Sequence, residues 1–152
     1  MLSRIGKFVC LSAGDQWLFL QAWCLLGWYR FLIYSRPLKR ITADFQQLPG
    51  KALVTKVSDD ELRRAKRISD AIAGAAIATP WLSSCLVQVL SLQNMLSSRG
   101  ISGQFCIGAT LDFDAKDKQK LFNAHAWLLC GHEILNGGST ADRFSVLTTY
   151  RW

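Results

Sequence analysis

Apolar residues recur at helical spacing through the first two thirds of this chain and alternate with polar ones in the last third. From Gln16 to Tyr29 the run QWLFLQAWCLLGWY carries fourteen residues without a charge, closed by Arg30. Gly14 and Asp15 offer a helix start and Arg36-Pro37 an end. Leu38 to Val57, with the turn signal Pro49-Gly50, has no clear period and reads as a connector. Ser58 and Glu61 then have the spacing of a capping box, and Leu62, Ala65, Ile68, Ile72 and Ala75 form a helical stripe that ends before Pro80. Ser83 and Ser84 are helix N-cap types, so a further helix should place Cys85 in its first turn and run to Arg99-Gly100. Its apolar positions on neighbouring faces, Cys85, Val89, Leu92 and Leu96 with Leu86 and Leu90, predict a largely buried helix.

After Gly100 the period changes to two. Ile101 to Thr110 reads as a first strand, and LDFDAKDKQK (111–120) as a charged loop at a hairpin-like reversal. A second strand begins near Phe122 and includes His125, Trp127 and Leu129. It turns through Cys130-Gly131-His132 into a third, Glu133 to Asn136, which Gly137-Gly138 breaks. Ser145 to Tyr150 is a β-prone tail. The class is α+β. Residues 1–57 are expected to form a basic, helical N-terminal extension, and residues 58–152 a catalytic domain.

The uncharged run is shorter than the roughly 20 residues a spanning helix needs. It reads as a helix of the core, or as one that meets a partner or a membrane surface, since Trp17, Trp23 and Trp28 lie between basic flanks. Asp15 interrupts the N-terminal apolar region, and Leu32 to Arg36 offers no small-residue cleavage site, so the start reads as mature protein. The net charge of +7 arises in residues 1–67, where twelve Lys/Arg meet five Asp/Glu, whereas residues 68–152 hold six of each. Arg63, Arg64, Lys66 and Arg67 lie off the apolar stripe and read as a solvated face. No aromatic or groove-reading residues lie among them, so no nucleic-acid partner is expected.

Five cysteines without a CxxC pair do not make a disulfide framework, and a reducing, cytoplasmic setting is expected. Cys10 and Cys24 read as small buried hydrophobes. Cys130, His132 and Cys106 lack a fourth ligand and a metal-site spacing, and neither metal nor cofactor is expected. Cys85 differs from the other cysteines in its position. Unpaired N–H groups and the positive end of the helix dipole favour a thiolate there, which suits a nucleophile. His125 is the candidate base, with Trp127 on the same strand face as a shield from water. If Leu129 faces Glu133, His125 falls beside Asn136 and Gly137, and Asn136 could orient the ring; Asp142 is the carboxylate alternative. A cysteine on a helix start, a histidine on a strand and a polar residue on the next strand resemble papain-like and transglutaminase-like sites.

Taken in order, Cys85-Leu86, Arg99-Gly100-Ile101, Ile107-Gly108, His125-Ala126-Trp127 and Leu135-Asn136-Gly137-Gly138 resemble the transglutaminase-like leader peptidase of lasso-peptide biosynthesis. The likeness covers roughly residues 62–146, and the tryptophan-rich basic helix is also similar to that family's N-terminal extension. The resemblance implies a papain/transglutaminase-like core and a cytosolic cysteine protease. That protease removes the leader of a ribosomally made precursor peptide before an asparagine-synthetase-like cyclase closes the macrolactam. It also implies Cys85 as nucleophile and His125 as base. The family's third residue is an aspartate shortly after the histidine, and Gly137 stands at about that place here. The chain looks too short for a fused leader-binding domain, so leader recognition is expected from a separate small protein. Rival readings are a transglutaminase-like acyltransferase and a non-catalytic membrane-surface or scaffold protein with Cys85 merely buried.

Overall fold

The computed structural model describes residues 12–49, 56–114 and 119–152. Cys10, the basic residues before position 12 and the middle of the predicted charged loop lie outside them. Helix α1 spans Ala13–Ser35, and a one-turn helix α2 spans Leu38–Ile41. Strand β1 is Gln46–Pro49, followed by helices α3, Asp59–Ala78, and α4, Cys85–Ser97. Strands β2, Gln104–Asp114, and β3, Gln119–Cys130, form a long hairpin. Then come β4, Glu133–Asn136, a 3-10 segment, Gly138–Arg143, and β5, Ser145–Arg151.

Each long helix begins where a serine precedes it. The Ser12 hydroxyl accepts the Asp15 amide at 3.2 Å. Ser58 and Glu61 close the predicted capping box, with the Ser58 amide donating to Glu61 Oε2 at 2.9 Å. At the end of α4, Gly100 takes φ +69°, and the Ile101 amide reaches back to the Leu96 carbonyl. That is a left-handed stop of the kind glycine permits.

The sheet is antiparallel, in the order β1-β5-β2-β3-β4. On one face Phe105, Ala126, Leu128, Cys130 and Tyr150 share a core with Ala22 and Leu26 of α1, Ile68 and Ile72 of α3, and Val89 and Leu92 of α4. Side chains alternate along a strand, so Cys106 and Trp127 point to the other face. There they pack with Ala141 of the 3-10 segment, flanked by Leu129, Phe144 and Val146. The layers are therefore helices, sheet, and a thin cover from the 3-10 segment.

Three expectations change. The connector contains β1, which pairs with β5 from Gln46↔Arg151 to Pro49↔Thr148. An edge strand can end on the proline that read as a turn signal. The supposed charged loop is largely ladder, running out to Asp114↔Gln119. Leu111 and Phe113 alternate with Asp112 and Asp114, so the period of two continued under the charge. Cys24, expected to be buried, is exposed. Helix α1 and strand β1 contribute to the core and sheet that residues 58–152 build.

Candidate active site

Cys85 is the first residue of α4 and is half-buried against the main core. The first intrahelical bond runs from the Gln88 amide to the Ser84 carbonyl. The amides of Cys85, Leu86 and Val87 therefore precede the ladder. In contrast to Ser12 and Ser58, the Ser84 side chain caps none of them. Among the described residues, no partner is seen for these three backbone donors beside the sulfur.

The loop entering α4 is held from within the helix. Gln88 Nε2 donates to the Ser83 carbonyl at 2.9 Å, and the Ser83 hydroxyl meets that of Thr79 at 3.1 Å. The Oε1 of Gln88 accepts from Asn136 Nδ2 at 3.2 Å. Sequence reasoning missed Gln88, although its place one turn beyond Cys85 is a signal of proximity.

Strand β4, only four residues long, is gripped by two helices. Lys66 and Glu133 are paired at 2.6 Å, the Ser69 hydroxyl donates to the Leu135 carbonyl at 2.7 Å, and α4 supplies the Gln88 contact. These contacts accompany a register change. Cys130 faces Glu133 and Leu129 faces Ile134, but Leu128 faces Asn136, so one residue bulges between them. Asn136 therefore points with Leu128 to the helix face and reaches Gln88, not His125. Its expected bond to the histidine is absent. Asp142 is exposed in the 3-10 segment and makes no hydrogen bond or ion pair among the described residues. Among the described residues, neither proposed third side chain is hydrogen-bonded to the ring.

The ring nitrogen finds a main-chain partner instead. His125 Nε2 lies 2.8 Å from the carbonyl oxygen of Gly137. A carbonyl can only accept, so Nε2 carries a proton, and in the neutral ring the lone pair is on Nδ1. Gly137 holds φ +76°, and a Cβ there would lie 2.6 Å from the Ala126 carbonyl and 3.0 Å from Trp127 Cβ. Glycine lets the chain turn tightly over Ala126 and Trp127 of β3 and aim its carbonyl at the ring.

Aromatic walls surround that bond. The Trp127 ring stacks with His125 at 6.0 Å, as its place two residues along the same strand predicted, and the Phe144 ring lies tilted at 5.0 Å. Gly108 faces His125 across the β2–β3 ladder, and a Cβ there would meet the Trp127 ring at 2.8 Å. Its missing side chain gives the indole its place.

His125 thus belongs to the sheet face opposite α4, and no hydrogen bond joins it to Cys85 among the described residues. The two are linked through the dipeptide Asn136-Gly137: one residue is bonded to the first turn of the cysteine helix, the next to the imidazole.

The two buried thiols, Cys106 and Cys130, are poor competitors. Burial pushes the Cys106 thiol up from its ordinary value, against a smaller opposing effect of the Thr149 hydroxyl. Burial also raises Cys130, helped by the charges of Glu61 and Glu133. His132 is exposed in its turn. Among the described residues no group of His, Cys, Asp or Glu could hold a metal ion.

A cysteine at an uncapped helix start and a histidine on an antiparallel strand are the residue types of acyl transfer, although no hydrogen bond joins the two among the described residues. The profile of the Transglutaminase-like superfamily matches residues 32–149. This chain belongs to that superfamily. The match begins inside α1 and crosses the expected boundary at residue 57. No curated protein and no solved structure matches the chain. The superfamily includes cysteine peptidases and acyltransferases, and the α+β fold with a helical N-terminal part is the one expected.

Proposed function

We propose that this transglutaminase-like protein is a cysteine peptidase that cuts the leader from a ribosomally made lasso-peptide precursor, with Cys85 as nucleophile and His125 as base. The observation that carries the reading is the Asn136-Gly137 dipeptide, bonded on one side to the helix of the cysteine and on the other to the histidine. The motif order from Cys85-Leu86 to Leu135-Asn136-Gly137-Gly138 supports the substrate class.

Cys85 and His125 stand on opposite faces of the sheet, so proton transfer requires the first turn of α4 and the ring to close on each other when the peptide binds. His125 Nδ1 then takes the Cys85 proton while Nε2–H stays on Gly137, and the thiolate attacks the carbonyl carbon at the leader/core junction. Negative charge moves to the carbonyl oxygen, where amides of the first turn of α4 can receive it. The C–N bond then breaks, the imidazolium returns its proton to the leaving amine, and a thioester remains on Cys85. Water, deprotonated by the same nitrogen, hydrolyses it and restores the thiol. The Gly137 carbonyl does what the aspartate does in the family pattern: it holds the tautomer and steadies the imidazolium. A separate leader-binding protein would raise the local concentration of the flexible substrate. The cyclase would act on the freed core.

Incubating the protein and a leader-binding partner with full-length precursor, and weighing the products, tests this. Cleavage at one junction with addition of water is expected, and Cys85→Ala should abolish it while partner binding persists. His125→Ala should also slow alkylation of Cys85 by iodoacetamide and change its pH profile. Full activity of Cys85→Ala would sink the mechanism, and transfer of the leader to an amine without added water would replace hydrolysis by acyl transfer.

A further inference from the structure

Helix α1 buries one face and leaves the opposite one bare. Ala22, Leu26 and Tyr29 enter the core. On the other side Trp17, Leu20, Cys24, Trp28, Phe31 and Tyr34 are all exposed, at spacings of three and four that keep them in one line along the helix. Phe31 is 62% accessible and Tyr34 79%, too much for side chains that merely border a core. Beside this line Trp23 packs on Trp81 at 5.0 Å, and Leu82 is 77% accessible. Scattered exposed apolar residues are ordinary, but a continuous aromatic stripe of this length is not.

The charge around it has one sign. Residues 16–43 contain no Asp or Glu, and Arg30, Arg36, Lys39 and Arg40 lie at the C-terminal end of the stripe and just beyond. Arg30 extends to the Leu82 carbonyl and lies 5.3 Å from the Tyr34 ring centre, at the edge of the apolar surface. Two acids bound this stretch: Asp15, paired with Arg67 at 2.6 Å, and Asp44, four residues beyond Arg40. Among the described residues no helix is long and apolar enough to cross a membrane.

We propose that α1 docks this protein on the surface of an anionic lipid bilayer, with the helix lying in the plane of the interface. Indole and phenol rings with an apolar body and a polar edge settle at the headgroup level. The basic residues at the end of the stripe meet lipid phosphates, and the absence of acids removes the repulsion an anionic surface would otherwise exert. The charge complementarity selects the bilayer over a second copy of the chain, which would bring the same uncompensated positive charge to the contact. The proposal does not depend on the peptidase reading.

Flotation of the full chain with vesicles of phosphatidylcholine alone, and with one third phosphatidylglycerol, reads it directly. Binding to the anionic vesicles, weakened by salt and about tenfold or more lower on phosphatidylcholine, is expected. Trp28→Glu with Phe31→Glu should remove it without changing the thermal melt, because both side chains are solvent-facing. Replacing Arg36, Lys39 and Arg40 by Ala should lower it about tenfold or more. Equal binding to both vesicles, no binding to either, or a Trp28→Glu/Phe31→Glu variant that binds as before would overturn the proposal. So would a dimer in sedimentation that those two substitutions dissociate, since a second copy would then cover the stripe.

Discussion

At Gly137 a positive φ and the carbonyl bonded to His125 meet in one residue. A side chain there faces the left-handed conformation, which costs an L-residue about 1–2 kcal/mol, and the Ala126 carbonyl 2.6 Å from the new Cβ. The strand end must shift, and the carbonyl that orients His125 shifts with it. Gly137→Ala should therefore lower the maximal rate of leader removal about 100-fold, as misplacements near 1 Å can, with a smaller change in KM. Asn136→Ala keeps that carbonyl but loses the bond to Gln88, worth about 1 kcal/mol, so a partial loss of rate is expected. Asp142→Ala should be silent. Rates measured below each variant's melting temperature separate the three. A dead Asp142→Ala with an active Gly137→Ala would return the orienting role to the carboxylate.

At the scale of single elements, legibility followed how local the causes are. The start of α4 at Cys85 was readable from two serines, and the capping box of α3 from a four-residue pattern. His125 and Trp127 on one strand face followed from alternation alone. The orienting partner did not, because it depends on the bulge in β4. Contacts from Lys66, Ser69 and Gln88 hold β4 where it lies, and all three are distant in sequence. Local capping also has a pH signature. The Ser58 amide and hydroxyl bonded to Glu61 hold its carboxyl below its ordinary value of 4.5. The folded state therefore gives up that proton more readily than the unfolded one. The resulting stability is complete above the unfolded value and is lost as pH falls through the folded one. Ser58→Ala should cost about 1 kcal/mol at neutral pH and less at pH 3, which urea titrations at the two pH values can measure.

For the whole molecule, the question is whether residues 1–57 are an appendage or part of the fold. The main core cannot be divided at that point, because Leu26 and Ala22 are fully buried among residues of α3 and α4. Polar contacts cross the same line: Arg99 donates to Gln21 at 2.7 Å, Asn94 to the Tyr29 hydroxyl at 3.2 Å, and Asp15 pairs with Arg67. Burial sets the Tyr29 phenol above its ordinary value, with the Asn94 bond opposing, which marks its hydroxyl as largely withdrawn from water. A chain beginning at Ser58 would expose the α1-facing sides of two helices and turn β5 into an open edge, an invitation to pair with another copy. Losing even one buried leucine side chain costs about 2–5 kcal/mol, against a total stability of about 5–15 kcal/mol for a domain. Residues 58–152 alone should therefore show no cooperative thermal transition, bind a hydrophobic dye and aggregate, whereas the full chain melts in one step. A sharp melt of the shorter chain, with Cys85 still cutting precursor, would mean that α1 serves only to reach a surface beyond the fold.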